Sequence, residues 1–188
     1  MLPIVLDKGA MDKGVDQLIL SDPSLKPLLN AYDVPELKIE KNYFWALCRS
    51  IIYQQISGKA ASTIANRFLE LFPSGKNIRA IDIIDINIDK LHSVGLSKQK
   101  ASYIKNIAEA FYNGEVNVEN YFTMNDEEII TDLIKVKGVG KWTAEMFLLF
   151  TLRRPDIFPV TDLGVQKGFQ IFYSLDEIPT IDFMNQKA

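Results

Sequence analysis

The chain has 188 residues, 47% of them apolar and 24% charged, which fits about one domain, or two small helical lobes around a shared cleft. One cysteine, Cys48, and one histidine, His92, exclude an internal disulfide, a four-cysteine zinc site, a cysteine-held cluster, a multi-histidine metal centre and any serine–histidine triad built without His92. The formal charge of −3 speaks against a surface that is basic everywhere, while leaving room for a local basic face. Cys48 stands among apolar neighbours, so it reads as a small buried hydrophobe in a reduced, intracellular setting. No apolar run approaches the roughly 20 residues of a transmembrane helix, and MLPIVLDKGA does not read as a signal peptide.

The periodicity is helical almost throughout, and alternating strand patterns are hard to find, so the class expected is all-α. Asp12 to Leu20 reads as a short helix stopped near Asp22-Pro23. Asn42 to Gln55 is apolar on most faces, which predicts a central, buried helix. Ser57-Gly58 breaks it, and Lys59 to Phe72 follows as an amphipathic helix ended by Pro73-Ser74-Gly75. Ile78 to Asp89 reads as a short helix and turn. Ser97 can cap a helix from Lys98 to Tyr112, which ends at Asn113-Gly114. Val116 to Phe122 stays open between a strand and a loop-helix. Asn125 with Glu128 fits a capping box for Asp126 to Ile134. Lys141 to Leu152 and Leu163 to Tyr173 complete the predicted helices. Repeats of solenoid period and low-complexity tracts are not visible.

Charge is uneven along the chain. Glu115 to Asp132 carries only acidic charges, whereas Lys135, Lys137, Lys141, Arg153, Arg154 and Lys167 gather further on, and Lys98, Lys100 and Lys105 form a second basic stretch. Such runs are either solvated helix faces or one positive face suited to a polyanion. The most informative stretch is LIKVKGVGKWTA, Leu133 to Ala144. A helix ends near Val136, Gly138 and Gly140 make a tight turn, and a second helix starts at once. The glycines permit backbone conformations and close approach that a Cβ would hinder. Amides opening the second helix then point toward an anion, and its dipole assists. Val139 can plug the core between the helices, while Lys137 and Lys141 add charge where a phosphate would sit. The bland alternative is an ordinary helix C-cap.

LIKVKGVGKWTAEMFLL resembles the helix-hairpin-helix of the DNA glycosylase superfamily that also carries a Gly/Pro-rich loop and an aspartate (HhH-GPD). RSIIYQQISGKAASTIANRF resembles the early helix and wedge loop of its 3-methyladenine DNA glycosylase II branch. LHSVGLSKQKASYIKNIAEAF resembles that branch's lysine-bearing middle helix, and DIFPVTDLGVQKGF the loop and helix start that place the catalytic aspartate. The four motifs stand in family order and cover most of the chain from Asn42 to Tyr173. The resemblance implies a single domain over residues 1–188, two-lobed and helical, with a DNA-binding cleft between lobes and the helix-hairpin-helix at about 126–152. It also implies that the chain, stopping at Asn185-Gln186-Lys187-Ala188, lacks the family's final helix, with an exposed apolar groove as the consequence.

Residue by residue, the resemblance puts the catalytic aspartate on Asp162, which as a bare sequence feature reads first as an ordinary N-cap, a role compatible with facing a cleft. Hairpin contacts to the DNA backbone fall on Gly138, Val139 and Gly140, with Lys137, Lys141 and Thr143 beside them. Lys98 and Lys100 of the middle helix would grip phosphates. A monovalent cation is implied at the Val136 and Val139 carbonyls, and no cofactor. The duplex wedge falls in Gln54-Gln55-Ile56-Ser57, Gln55 foremost, although glutamines at a helix end also simply cap and solvate it. Where bifunctional members place a Schiff-base lysine, this chain has Trp142, and Lys141 is turned about 100° away. Trp142, with Met146 one turn on, would line the base pocket; a core tryptophan is the alternative.

The function so implied is base excision repair: flipping alkylated purines such as 3-methyladenine and 7-methylguanine from duplex DNA and hydrolysing the glycosidic bond, without a lyase step. The alternative is a catalytically weak or inactive protein that binds alkylation damage or abasic sites. The expected partner is double-stranded DNA with alkylated bases or abasic sites, bound by a monomer away from membranes. The expected place is the nucleus in a eukaryotic source and the cytoplasm or nucleoid otherwise.

Overall fold

The computed structural model describes residues 6–187. The first five residues of the N-terminal stretch read above, and Ala188, lie outside the described residues. Among those described, every regular element is helical. The elements are α1 (Lys8–Ser21), α2 (Lys26–Ala31), α3 (Tyr43–Tyr53), α4 (Gly58–Glu70), α5 (Ala80–Ile84), α6 (Ile88–Ser93), α7 (Lys98–Tyr112), α8 (Asp126–Leu133), α9 (Lys141–Phe147), α10 (Leu163–Phe172) and α11 (Ile181–Lys187).

The central helix is α3. Phe44 to Cys48, Ile51 and Ile52 are all buried on it, and it packs against α4, α7 and α9. Asn42 starts it in two ways. Its side-chain oxygen accepts from the Trp45 amide at 2.9 Å, and its Nδ2 donates to the carbonyls of Lys76 and Ile78 at 2.8 and 2.7 Å. One residue thus caps the helix and ties it to the segment after α4. Trp45 stacks on Phe68 of α4 with centroids 5.6 Å apart. Cys48 is fully buried, and burial pushes its thiol pKa well up, so it packs as a hydrophobe.

Two lysines of α7 act as staples between helices. Lys105 Nζ donates to the carbonyl of Ile84 at the end of α5 (2.7 Å), and Lys100 does the same at the end of α3 and just past it. Arg154, expected on a basic face, is buried. Its guanidinium donates to the Tyr121 and Met124 carbonyls at 2.7 and 3.0 Å and sits 3.4 Å from Asp126 Oδ1, holding the start of α8.

Differences from the sequence reading have local causes. Ile78 to Asp89 divides into α5 and α6, with Asn87 capping the second through the Asp89 amide. Val116 to Phe122 forms no strand and closes in a 3-10 turn over Asn120–Phe122. The helix from Lys141 turns α-helical to Phe147 and then π-helical over Leu148–Leu152, ending at Arg153 with φ +55°. Residues 147, 148, 151 and 152 are buried, a spacing that suits either helix type. Past Tyr173 the chain forms α11, whose Phe183 meets the Tyr173 ring edge-on at 5.5 Å and whose Met184 is buried. Ile171, Ile178 and Ile181 remain exposed in this region of the chain.

Candidate active site

Four segments converge on one open cleft of about 1440 Å³. They are the end of α3 with its turn (Tyr53 to Ser57), the start of α7 (Ser97 to Tyr103), the hairpin (Gly138 to Thr143) and the start of α10 (Thr161 to Gly164). The sequence-predicted Asp162, Trp142, Gly138, Val139, Gly140, Thr143, Lys100 and all four turn residues lie in its lining. Met146, Lys98, Lys137 and Lys141 do not.

Asp162 is the N-cap that the sequence allows, and it also lines the cleft. Its Oδ1 accepts the Val165 amide at 3.0 Å, capping α10. Its Oδ2 accepts Nε1–H of Trp142 at 2.8 Å. The carboxylate is thereby fixed from two directions at the edge of the cleft. Gly164 leaves room for this arrangement, because a Cβ there would lie 3.0 Å from Asp162 Oδ1. Trp142 is half-buried, with its ring in the cleft wall and its N–H committed to the aspartate. Lys141 points elsewhere: its ammonium is 3.8 Å from Glu145 Oε1. Among the described residues lining the cleft, Lys100 carries the only amine.

The hairpin joins α8 to α9 through Ile134 to Gly140. Asn125 and Glu128 close the expected capping box on α8. Val139 is buried as a plug, and its amide donates to the Val136 carbonyl at 2.9 Å. That amide is consumed within the turn, contrary to its expected contact with DNA. Gly138 has φ +106°, and a Cβ on it would fall 2.2 Å from Cγ of Tyr103. Only glycine fits between the hairpin backbone and that ring. Asn106 donates to the Lys137 carbonyl at 3.0 Å, and Gln99 Nε2 to the Tyr103 hydroxyl at 2.5 Å. Gln99, Tyr103 and Asn106 thus form the face of α7 that carries the hairpin. They were missed as site residues, although their spacing of four and three residues marks one helix face.

Unlike α3, α4, α7, α8 and α10, helix α9 has no side-chain cap, because Gly140 stands at its N-cap position. The first-turn amides of Lys141, Trp142 and Thr143 have no partner within the helix. Thr143 itself is buried, and its hydroxyl accepts from Gln54 Nε2 at 2.9 Å. Its expected contact with a phosphate can therefore come only from its backbone. Lys137 is exposed at the turn, as expected.

The predicted grip of Lys100 on a phosphate gives way to a different role. Its Nζ donates to the carbonyls of Ile52 (2.8 Å) and Gln54 (2.7 Å), and burial lowers its pKa. Gln54 also reaches the hairpin, with Nε2 at 3.4 Å from the Gly138 carbonyl. Next to it Gln55 is exposed and left-handed, at φ +54°.

Two helices joined by a short glycine turn, uncapped toward a cleft, define the helix-hairpin-helix class. A protein-family model described as HhH-GPD superfamily base excision DNA repair protein matches residues 48–188. DNA-3-methyladenine glycosylase 1 of Schizosaccharomyces pombe is 34% identical over 142 residues, covering 75% of this chain and 62% of that protein. DNA-3-methyladenine glycosylase of Saccharomyces cerevisiae is 36% identical over 174 residues, covering 85% and 58%. The solved structure of the S. pombe 3-methyladenine DNA glycosylase Mag1 in complex with abasic DNA superposes with a TM-score of 0.86 at 31% identity, over 93% of this chain and 86% of that one. The chain belongs to the HhH-GPD superfamily of base excision DNA repair proteins. It spans about three fifths of the length of the curated relatives it matches.

Proposed function

We propose that the chain is a monofunctional DNA glycosylase, releasing alkylated purines such as 3-methyladenine and 7-methylguanine from duplex DNA. The observation that carries this reading is the Asp162 carboxylate, held by Trp142 and the Val165 amide at a cleft that the hairpin also lines. The relatives' names support the substrate class, and abasic DNA, bound in the solved complex, is what base release leaves behind.

The uncapped amides opening α9, with Lys137 and Lys141, hold the DNA backbone, which positions without reading sequence. Lys98, exposed on α7, adds a further phosphate contact. Gln55, with Ile56 and Ser57 beside it, fills the gap left by the flipped nucleotide and offsets part of an unstacking cost of a few kcal/mol. Alkylation at N3 or N7 leaves the purine cationic, so it departs with the glycosidic electron pair and becomes neutral, without an acid to protonate it. The Trp142 ring face favours such a cation by roughly 0.5–2 kcal/mol. As the C1′–N bond breaks, positive charge develops on the sugar, and Asp162 stabilises it. Water then adds to C1′ and gives up its proton to the solvent. With Trp142 at the position of the lyase amine and the Lys100 amine committed to the Ile52 and Gln54 carbonyls, no nucleophile is presented for a Schiff base, so the strand stays intact.

The reading includes a monovalent cation at the hairpin. The Val136 carbonyl keeps one lone pair after accepting the Val139 amide, and with the Val139 carbonyl it would hold a weakly bound ion that adds positive charge near a phosphate. The residues lining the cleft all come from one chain, which makes a monomer sufficient. A nuclear place in a eukaryotic source, or the nucleoid otherwise, follows from the substrate. Among the described residues no helix is long and apolar enough to cross a membrane.

The test is release of free 3-methyladenine and 7-methylguanine from methylated duplex by the wild-type chain and by Asp162→Asn. Release that falls at least about a hundredfold in the variant, with DNA binding kept, supports the reading. Equal release by both removes Asp162 from the mechanism. Binding to abasic duplex without any release by the wild type makes the chain a damage binder instead.

A further inference from the structure

Gln55 is the exposed tip of the turn between α3 and α4, and its φ of +54° is a left-handed conformation that a non-glycine residue adopts only at a cost. Such a residue persists only where its surroundings over-determine it. Two anchors flank it. Gln54, just before it, has its side chain on Thr143 Oγ1 and the Gly138 carbonyl of the hairpin and its carbonyl on Lys100 Nζ. Lys100 Nζ also takes the Ile52 carbonyl, which the end of α3 leaves without a helical partner.

The position of Lys100 is informative in itself. It lies in the first turn of α7, where the helix dipole disfavours a cation and where no acidic residue stands. The carbonyls at the end of α3 supply the compensating negative dipole. Two of the ammonium's three N–H bonds are thereby spent on the turn that carries Gln55.

On the reading given under Proposed function, we infer that Lys100 is a positioning residue for the duplex wedge, not a phosphate ligand: it holds the turn so that Gln55 is presented in its inserting conformation before DNA arrives. Gln54 is the second anchor and does not itself enter the duplex. Because Gln54 joins the turn to Gly138 and Thr143, the wedge and the backbone-holding hairpin move as one piece.

The experiment compares wild type, Lys100→Met and Lys100→Arg in two ways. Without DNA, amide hydrogen exchange over residues 52–60 is followed, with α8 as the internal control for folding. Lys100→Met should exchange at least about tenfold faster there, and Lys100→Arg, which keeps donors, should restore much of the protection. Unchanged exchange in Lys100→Met overturns the inference whatever the chain does to DNA. With DNA, affinity for an undamaged duplex and for one holding a tetrahydrofuran abasic site is measured against salt. A positioning role predicts that Lys100→Met loses preference for the abasic duplex at least about tenfold while its salt slope stays that of the wild type. A phosphate ligand predicts equal weakening on both duplexes and a slope smaller by about 0.9, which overturns the inference. A wild-type chain that binds neither duplex overturns the glycosylase reading instead, and the exchange result still decides whether Lys100 holds the turn.

Discussion

Replacing Trp142 by Phe tests how the carboxylate is held. The substitution keeps an aromatic ring in the cleft wall and removes one N–H, the donor 2.8 Å from Asp162 Oδ2. The Val165 amide still engages Oδ1, so the cap and the start of α10 survive. What is lost is one of two constraints on the orientation of the charge. A hydrogen bond to a charged group contributes about 1.5–3 kcal/mol. If that is the stabilisation lost when charge develops on the sugar, the chemical step slows roughly tenfold to somewhat over a hundredfold. The assay is single-turnover release of 7-methylguanine from methylated duplex, with enzyme in excess so that product departure does not contribute. Affinity for the same duplex should change little, because the hairpin amides are untouched. A second measurement makes the reasoning strict. In Asp162→Asn the group facing Trp142 is a poor acceptor or a donor, so Trp142→Phe should add almost nothing in that background. A single-turnover rate within twofold of wild type would refute the idea that Trp142 orients the aspartate. Equal effects of Trp142→Phe with and without Asp162 would refute it as well, and leave the ring face as the part that matters.

Gly138→Val should be costly in two respects. Positive φ costs a non-glycine residue roughly 1–2 kcal/mol, and forcing a side chain against Tyr103 adds about 1–3 kcal/mol, so denaturant titration should show a loss of about 2–5 kcal/mol or a displaced hairpin. Any variant that folds should bind all duplexes more weakly by a similar factor; a loss confined to damaged DNA would contradict the hairpin's role. Glu145 gives a pH signature. Its carboxyl is buried, with Oε2 lacking a hydrogen-bond partner among the described residues, and burial raises its pKa above the ordinary 4.5 while Lys141 pulls the other way. A raised acid carries no penalty below its unfolded value and destabilises the fold as pH climbs through its folded value. Glu145→Gln should therefore melt higher than wild type at neutral pH, with the gap closing as pH falls toward about 4.5; a gap independent of pH would refute the assignment.

The features legible in the sequence were those whose cause is local. Ser97 and the Asn125–Glu128 box cap the helices they precede, and Asp162 caps α10, because capping needs only residues three apart. The glycine turn was legible for the same reason, as was the apolar α3. What stayed hidden was set by partners far along the chain. Lys100 reads as a free charge until its acceptors, 46 and 48 residues away, are in view. Thr143 reads as a helix-start hydroxyl open to DNA, yet its partner is Gln54, 89 residues away. Trp142 as a core residue and Trp142 as a pocket wall were both reasonable from composition. The bond to Asp162, 20 residues on, shows that its N–H has a third role. Helices α2 and α11 escaped because each is short, of 6 and 7 residues, too few for periodicity to register.

The same distinction changes what the net charge means. Nine basic residues suggested a positive face, but Lys100, Lys105 and Arg154 donate to backbone carbonyls, and Lys135 pairs with Asp132 at 3.0 Å. Lys100 and Lys105 both reach from α7 to the carboxyl-terminal ends of neighbouring helices, where the dipole favours a cation. They bind the helices of the scaffold to one another. A chain at −3 can nevertheless hold a polyanion if its donors are neutral, and the uncapped start of α9 supplies such donors without adding formal charge. Neutral amides displace no counterion-like charge of their own, so affinity obtained from them depends less on salt than affinity obtained from lysines. On the proposed reading, Lys137 and Lys141 set how strongly the hairpin attracts DNA, while the geometry around Gly138 sets where the backbone rests.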